Sequence, residues 1–142
     1  MAWTRDDAHR QATRFATGWR DDGVSKWMAY DRVTGDLIGR GGLSRKYIDG
    51  ADRVEVGWAV LGRLWGNGYA TEMGRASLIF AFHDLGVDEV VAFTEARNIR
   101  SRAVMEPLGM TYQRDIIHDS MPFVLYSIPA TNDSATEARR QT

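Results

Sequence analysis

The chain has 142 residues, 44% hydrophobic and 26% charged, the profile of a single soluble domain large enough for a true core. Eighteen basic and nineteen acidic side chains leave a formal charge of −1, without the basic excess of a nucleic-acid binder, and no cysteine is present for disulfides, thiolate metal sites or a thiol nucleophile. No apolar run approaches the roughly 20 residues of a membrane span. The opening MAWTRDDAHRQATRF carries charges throughout and no signal-peptide core, so a cytoplasmic protein without membrane partners is expected.

In chain order, Ala8, Ala12, Phe15, Ala16 and Trp19 recur at helical spacing, predicting a helix from Thr4 to Trp19 that RDDG breaks. KWMAYDRVTGDLIGRGGL reads as a β-hairpin turning at VTGD. SRKYIDGAD is then expected as a loop, followed by a strand, RVEVGWAVL. On that strand Val54, Val56 and Trp58 share one face, and Glu55, Gly57 and Ala59 the other. Tyr69 to Asp84 is predicted helical, with Met73, Ala76, Ile79, Phe80 and Phe82 as its apolar stripe. A strand from Glu89 to Thr94 leads to a shorter helix, Ile99 to Leu108, capped by Asn98 and stopped at Gly109. Strands at Met110–Arg114 and Pro122–Ser127 close the order α-β-β-β-α-β-α-β-β. Residues 1–128 are expected to form one α/β domain, with 129–142 a flexible polar tail.

The segment RLWGNGYATE carries the chemistry. Strand, Arg63, Gly66-Asn67-Gly68, then helix is an order that aims free N–H groups from a helix start at whatever lies beyond the strand end. The helix dipole favours an anion there, the glycines admit oxygen atoms without meeting a Cβ, and Arg63 offers a charged contact. A plain glycine turn explains the pair equally well. A P-loop is excluded because Tyr69-Ala70 follows the last glycine instead of Lys-Ser or Lys-Thr. A dinucleotide fingerprint fails because Thr71 stands where its third glycine or alanine belongs. His9, His83 and His118 have no metal-ligand spacing, so no metal is expected.

VEVGWAVLGRLWGNGYATE resembles motif A of the GNAT acyltransferases, with Arg63, Gly66 and Gly68 filling its pattern. WGNGYATE is similar to the RimJ/RimL branch of ribosomal-protein N-terminal acetyltransferases. ARNIRSRAVMEPLGM agrees, with Asn98, Ser101, Glu106 and Gly109 in register. The resemblance spans roughly Trp19 to Ile128. It implies a mixed, mostly antiparallel sheet with a central parallel pair and helices on both faces. It also implies acetyl transfer from acetyl-CoA to a primary amine, on a small molecule or a protein N-terminus. Ala59, Val60, Leu61, Arg63, Leu64, Trp65, Gly66, Asn67, Gly68, Tyr69, Ala70, Thr71 and Asn98 would hold the cosubstrate. Glu55 would be the general base through a water, with a solvated strand carboxylate as its plain alternative.

Many family members place a tyrosine acid where Met105 stands, and a thioether cannot donate a proton. Ser101, one turn earlier, is the remaining polar candidate beside bulk water. Pro107 stands where the family commonly has lysine. Members also begin with a strand and helix before the segment matched to Thr4–Trp19. Their expected lack leaves strand Lys26–Arg32 as an open edge, covered by a homodimer contact or an exchanged element, with a truncated start as the dull alternative. Two other readings stand beside transfer: a CoA-binding module without turnover, and a structural partner docking through that edge. Tyr47 and Asp49 in the expected loop are candidates to meet a cationic acceptor, against a plain surface role.

Overall fold

The computed structural model describes residues Thr4–Thr131, so Trp3 and the expected tail from residue 132 onward lie outside the described residues. Helix α1 (Arg5–Asp22) starts at a capping box, in which the Thr4 hydroxyl accepts from Asp7 N–H and the Asp7 carboxylate accepts from Thr4 N–H. It does not break at RDDG: Arg20 to Asp22 stay helical and Gly23, left-handed at φ 72°, ends the helix. Strands β1 (Lys26–Tyr30), β2 (Leu37–Ile48) and β3 (Ala51–Val60) follow as an antiparallel meander.

The expected loop SRKYIDGAD is strand on both sides, and only Asp49 (φ 51°) and Gly50 (φ 83°) turn. An Asp-Gly pair matching the strand twist is the strongest short hairpin signal, and the polar residues around it obscured it. Helix α2 (Tyr69–Ile79) passes into one π turn, Phe80–Asp84, with Leu85 N–H bonded to Phe80 O at 3.1 Å. Strand β4 (Glu89–Glu95), helix α3 (Ile99–Met105), and strands β5 (Thr111–His118) and β6 (Met121–Pro129) complete the chain. Helix α3 is one turn shorter than predicted, ending before Pro107. Strand β6 takes in Pro129, the first residue assigned to the tail, and Ala130 N–H bonds Asp88 O at 2.7 Å just before β4.

The sheet order is β1-β2-β3-β4-β6-β5, antiparallel except for the central β3–β4 pair, which is the α/β arrangement expected. One face carries the main core, where Leu43, Val56, Val90 and Val124 meet Leu78 and Ala81 from α2 and the π turn, and Met105 and Leu108 from α3 and its end. The buried positions of α2 itself are Gly74, Ser77 and Leu78, not the predicted stripe, and Ala76 is exposed. Small residues there let the helices approach: a Cβ on Gly74 would lie 2.6 Å from Leu108 Cδ1. Helix α1 runs beside β1, with Trp19 against Trp27 and Phe80, and Phe15 reaches Arg40 on the other face. On that face Ile48, at the β2–β3 turn, packs with Ile116 and Leu125, and Arg114 bonds the Asp49 carboxylate at 2.7 Å. The hairpin tip therefore curls across the sheet and closes one end of this face.

Strand β2 lies so close to β3 that Gly39 has no room for a side chain. A Cβ there would sit 2.1 Å from Ala59 O and 2.9 Å from Val60 Cα, both backbone atoms of the paired strand. Gly39→Ala is expected to lose about 3 kcal/mol of stability, because main chain fixed in a ladder cannot yield as a side chain can. A urea midpoint measured against the unmodified protein checks this, and an unchanged midpoint contradicts it.

Candidate active site

Strands β3 and β4 meet side by side at Glu55 and Val91, and an Arg53–Glu89 ion pair of 3.2 Å ties their lower ends. Above that contact the strands form no further register pair, and a gap opens between them toward Val60 and Glu95. Leu61 N–H bonds Ile38 O at 2.9 Å. Because main-chain groups alternate sides along a strand, those of Trp58 and Val60 turn the other way, into the gap. The Val60 carbonyl accepts the Trp65 indole N–H at 2.9 Å, while its own N–H faces the gap.

A single 3-10 turn, Gly62–Leu64, leads to Trp65 and the glycines. Gly66 and Gly68 have φ of 84° and 81°, a backbone that side-chain-bearing residues rarely adopt. A Cβ on either meets nothing within 4 Å, so conformation, rather than crowding within the protein, is what requires glycine here. Gly68 is the N-cap of α2 and supplies no side-chain acceptor, so the first N–H groups of the helix lack a cap partner and carry the positive end of its dipole toward solvent.

A cavity of about 570 Å³ occupies this end of the gap. Ala59 and Val60 form one wall, with Leu64, Trp65, Gly66 and Gly68 from the turn. Tyr69, Ala70 and Thr71 come from the start of α2, and Asn98, Arg100 and Ser101 from α3 and its cap. Three expected cosubstrate contacts are placed elsewhere. Leu61 is buried with its N–H spent on Ile38, and Arg63 is exposed on the 3-10 turn, outside the cavity wall. Asn67 donates its Nδ2 back to Leu64 O at 2.9 Å and shapes the turn. Trp65 is 46% exposed, held by Val60 and by the Arg100 guanidinium 3.8 Å over its ring, so it is a cleft wall rather than core packing.

A second cavity of about 260 Å³ adjoins the first through Trp58, Asn98 and Ser101. Glu55 lines it, only 6% exposed, with Oε2 3.5 Å from Lys46 Nζ. Burial pushes the Glu55 carboxyl above its ordinary value, and Lys46 and Lys26 pull it part of the way back. Lys26 is half-buried beside it and held below its usual range by burial, with Glu55 opposing. The charged neighbours of Glu55 are thus cationic.

Asn98 caps α3, its Oδ1 accepting from Ser101 N–H at 3.1 Å. The Ser101 hydroxyl makes no hydrogen bond to another described residue and borders both cavities. Met105 lines the second cavity beneath it, at 1% exposure. Tyr47 points outward at 70% exposure and Asp49 is held by Arg114, so neither borders this cavity. Among the described residues no group of three His, Cys, Asp or Glu is placed to hold a metal ion.

Sequence reasoning missed Lys26, Arg40 and Lys46. Arg40 and Lys46 sit an even number of residues from Ser44, the cross-strand partner of Glu55, and Lys26 pairs with Gly42. The period-2 signal was there, but it identifies a shared face only once the strand register is known.

A parallel pair splayed above one contact, with a glycine turn and an uncapped helix at its open end, is the arrangement that the resemblance to the GNAT acyltransferases implies. The model of the acetyltransferase (GNAT) domain matches residues 1–111, and the chain belongs to the GNAT acetyltransferase family. It is 34% identical over 110 residues to "uncharacterized protein YkkB" of Bacillus subtilis strain 168, covering 78% of this chain and 64% of that one. Over 61 residues it is 44% identical to the FsC-acetyl coenzyme A-N(2)-transacetylase of Aspergillus fumigatus, covering 43% of this chain and 26% of that one. The chain thus spans under two thirds of the length of both. The ribosomal-protein-S5-alanine acetyltransferase of Vibrio fischeri superposes with a TM-score of 0.75 at 14% identity, over 91% of this chain and 74% of that one, a likeness of fold.

Proposed function

We propose that the protein is an acetyl-CoA-dependent N-acetyltransferase of the RimJ/RimL-like branch, moving an acetyl group directly to a primary amine. The observation that carries this reading is the adjacency of the two cavities: the cleft at the glycine turn and the Glu55 cavity share Trp58, Asn98 and Ser101 in their walls. The similarity of WGNGYATE and of the Asn98–Gly109 segment to that branch supports the assignment.

In this reading the N–H groups at Gly66, Gly68 and the start of α2 hold the pyrophosphate. The pantetheine arm lies between β3 and β4, beside Trp58 and Val60. Glu55 takes a proton from the incoming ammonium, through a water. The neutral amine attacks the thioester carbon, forming the C–N bond, and the carbonyl oxygen gains negative charge opposite the Val60 N–H. Collapse breaks the C–S bond. The thiolate leaves with a proton relayed by Ser101 from solvent, and the excess proton on the acylated nitrogen passes to solvent, leaving the neutral amide with one N–H. A homodimer covering the β1 edge belongs to the same reading, since Trp27 and Tyr30 on that strand are 41% and 53% exposed.

Calorimetric titration of acetyl-CoA, followed by thiol release with a panel of amines, tests the proposal. Micromolar binding with turnover supports it. Binding without turnover favours a CoA-binding module, which the buried thioether of Met105 would suit, and no binding leaves the structural-partner reading. Ser101→Ala is expected to lower kcat about tenfold with KM little changed. This is less than a usual general-acid effect because a thiol, with a pKa near 8.5, leaves readily as its anion. An unaltered kcat would assign that proton to water.

A further inference from the structure

The cavity beside Glu55 is an unusual place to receive a plain amine. Lys26, Arg40 and Lys46 bring three formal positive charges to it and Glu55 brings one negative. That carboxylate lies 3.5 Å from Lys46. Lys26 forms no salt bridge or side-chain hydrogen bond among the described residues, although Glu55 attracts it at longer range, and its ammonium lies only 3.8 Å from where a Cβ on Gly57 would stand. The three cations come from two strands, β1 and β2, whose register turns them to the same face as Glu55. Their convergence therefore follows from the sheet itself. A second ammonium entering with a polyamine would meet like charge from all three, and like-charge juxtaposition is a strong means of rejecting a ligand.

Resting on the acetyltransferase reading, we propose that the acceptor is a small primary amine that carries its own carboxylate or phosphonate-type anion, the amine directed to Glu55 and the anion to Lys26, Arg40 and Lys46. The cavity of about 260 Å³ lies below the usual range for drug-sized ligands and suits a molecule of amino-acid size rather than a folded chain terminus. The cations serve the chemistry as well as recognition. Positive potential at the bound amine favours its neutral form, which is the form that attacks, and the ligand's anion offsets the charge that would otherwise repel the amine on entry. Arginine suits a two-oxygen contact with a planar carboxylate, and the lysines act as point charges for either anion.

The test uses four acceptors of similar size: alanine, 1-aminoethylphosphonate, alaninamide and 1,2-diaminopropane. Acetyl-CoA binding is measured first. Each amine is then titrated calorimetrically into the CoA-saturated protein, and thiol release is followed from acetyl-CoA. The two anionic amines are expected to exceed the amide at least about tenfold in affinity and in kcat/KM, with the diamine weakest. Lys46→Gln and Arg40→Gln should each narrow the anion-to-amide ratio about threefold or more. A ratio taken within one variant cancels any effect on Glu55, and Lys46, the more exposed, serves if the arginine variant does not fold. Rising salt should also narrow the ratio. Equal affinity for alanine and alaninamide, or a preference for the diamine, overturns this proposal while leaving acetyl transfer intact. Absence of acetyl-CoA binding removes the parent reading, and this one with it. If no amine turns over, the affinities alone decide.

Discussion

Glu55→Gln is expected to lower kcat between about 10²- and 10⁴-fold while acetyl-CoA binding stays close to that of the parent protein. The amide fills the same space on β3, and Glu55 borders the small cavity but not the glycine cleft. What is lost is the only carboxylate that lines that cavity among the described residues. The pH dependence sharpens the expectation. Glu55 acts as a base only when ionised, so kcat/KM falls as the medium is acidified through its pKa. Burial raises that pKa above the ordinary 4.5, and the acidic limb should lie correspondingly above the range of a solvated carboxylate. Lys46 and Lys26, and His118 more weakly, favour the ionised form. Removing the Lys46 charge with Lys46→Gln therefore moves the limb to higher pH. Titration of the acceptor amine also shapes such a profile, but kcat/KM reports the amine free in solution, whose titration is the same for every variant. A limb unmoved by Lys46→Gln, or a Glu55→Gln protein retaining most of its activity, would remove the base assignment.

Gly68→Val is expected to weaken acetyl-CoA binding by at least about 100-fold, equivalent to about 2.8 kcal/mol. Gly68 stands at φ 81° at the first turn of α2, a conformation out of reach for a β-branched residue without strain of about 1–3 kcal/mol. The valine has open space around its Cβ, so the fold is retained and the backbone relaxes instead. Relaxation turns the N–H groups of the glycine turn away from the cleft. Gly68→Ala should fall between the two, since alanine tolerates the left-handed region better than valine. Thermal unfolding of each variant, run beside the calorimetry, separates lost binding from lost folding. Normal acetyl-CoA affinity in a folded Gly68→Val protein would mean that the turn does not hold the pyrophosphate.

The glycine turn and helix start were readable because their signals are local. Gly66, Asn67, Gly68 and the first turn of α2 lie within a few residues of one another, and the demand for left-handed backbone falls on the glycines themselves. The capping of α3 by Asn98 is local in the same sense. The misreadings have physical reasons too. Asp49-Gly50 is a two-residue hairpin, but the charged strand residues flanking it gave no apolar alternation, because that hairpin tip exposes its side chains on one face. The stripe drawn on the second helix held for Phe80 and Phe82, which pack against the core, but missed the closest approach, where Gly74 and Ser77 give a hydrophobicity pattern no signal. Leu61 was named as a cosubstrate contact through the family resemblance, and strand alternation directs its amide to Ile38 on β2.

The amino-acid order alone was enough to reveal the element sequence, the glycine turn at the start of α2 and a carboxylate, Glu55, on the strand that leads to it. Each depends on contacts within a short stretch or on periodicity along one strand. The splay of β3 from β4, the junction of the two cavities at Trp58, and the gathering of Lys26, Arg40 and Lys46 around Glu55 depend on strand register and sheet curvature. Those features join residues tens of positions apart, and pairing energies summed over the whole sheet select them. No single segment encodes the cationic character of the small cavity; it arises when two strands align their even-numbered side chains on one face.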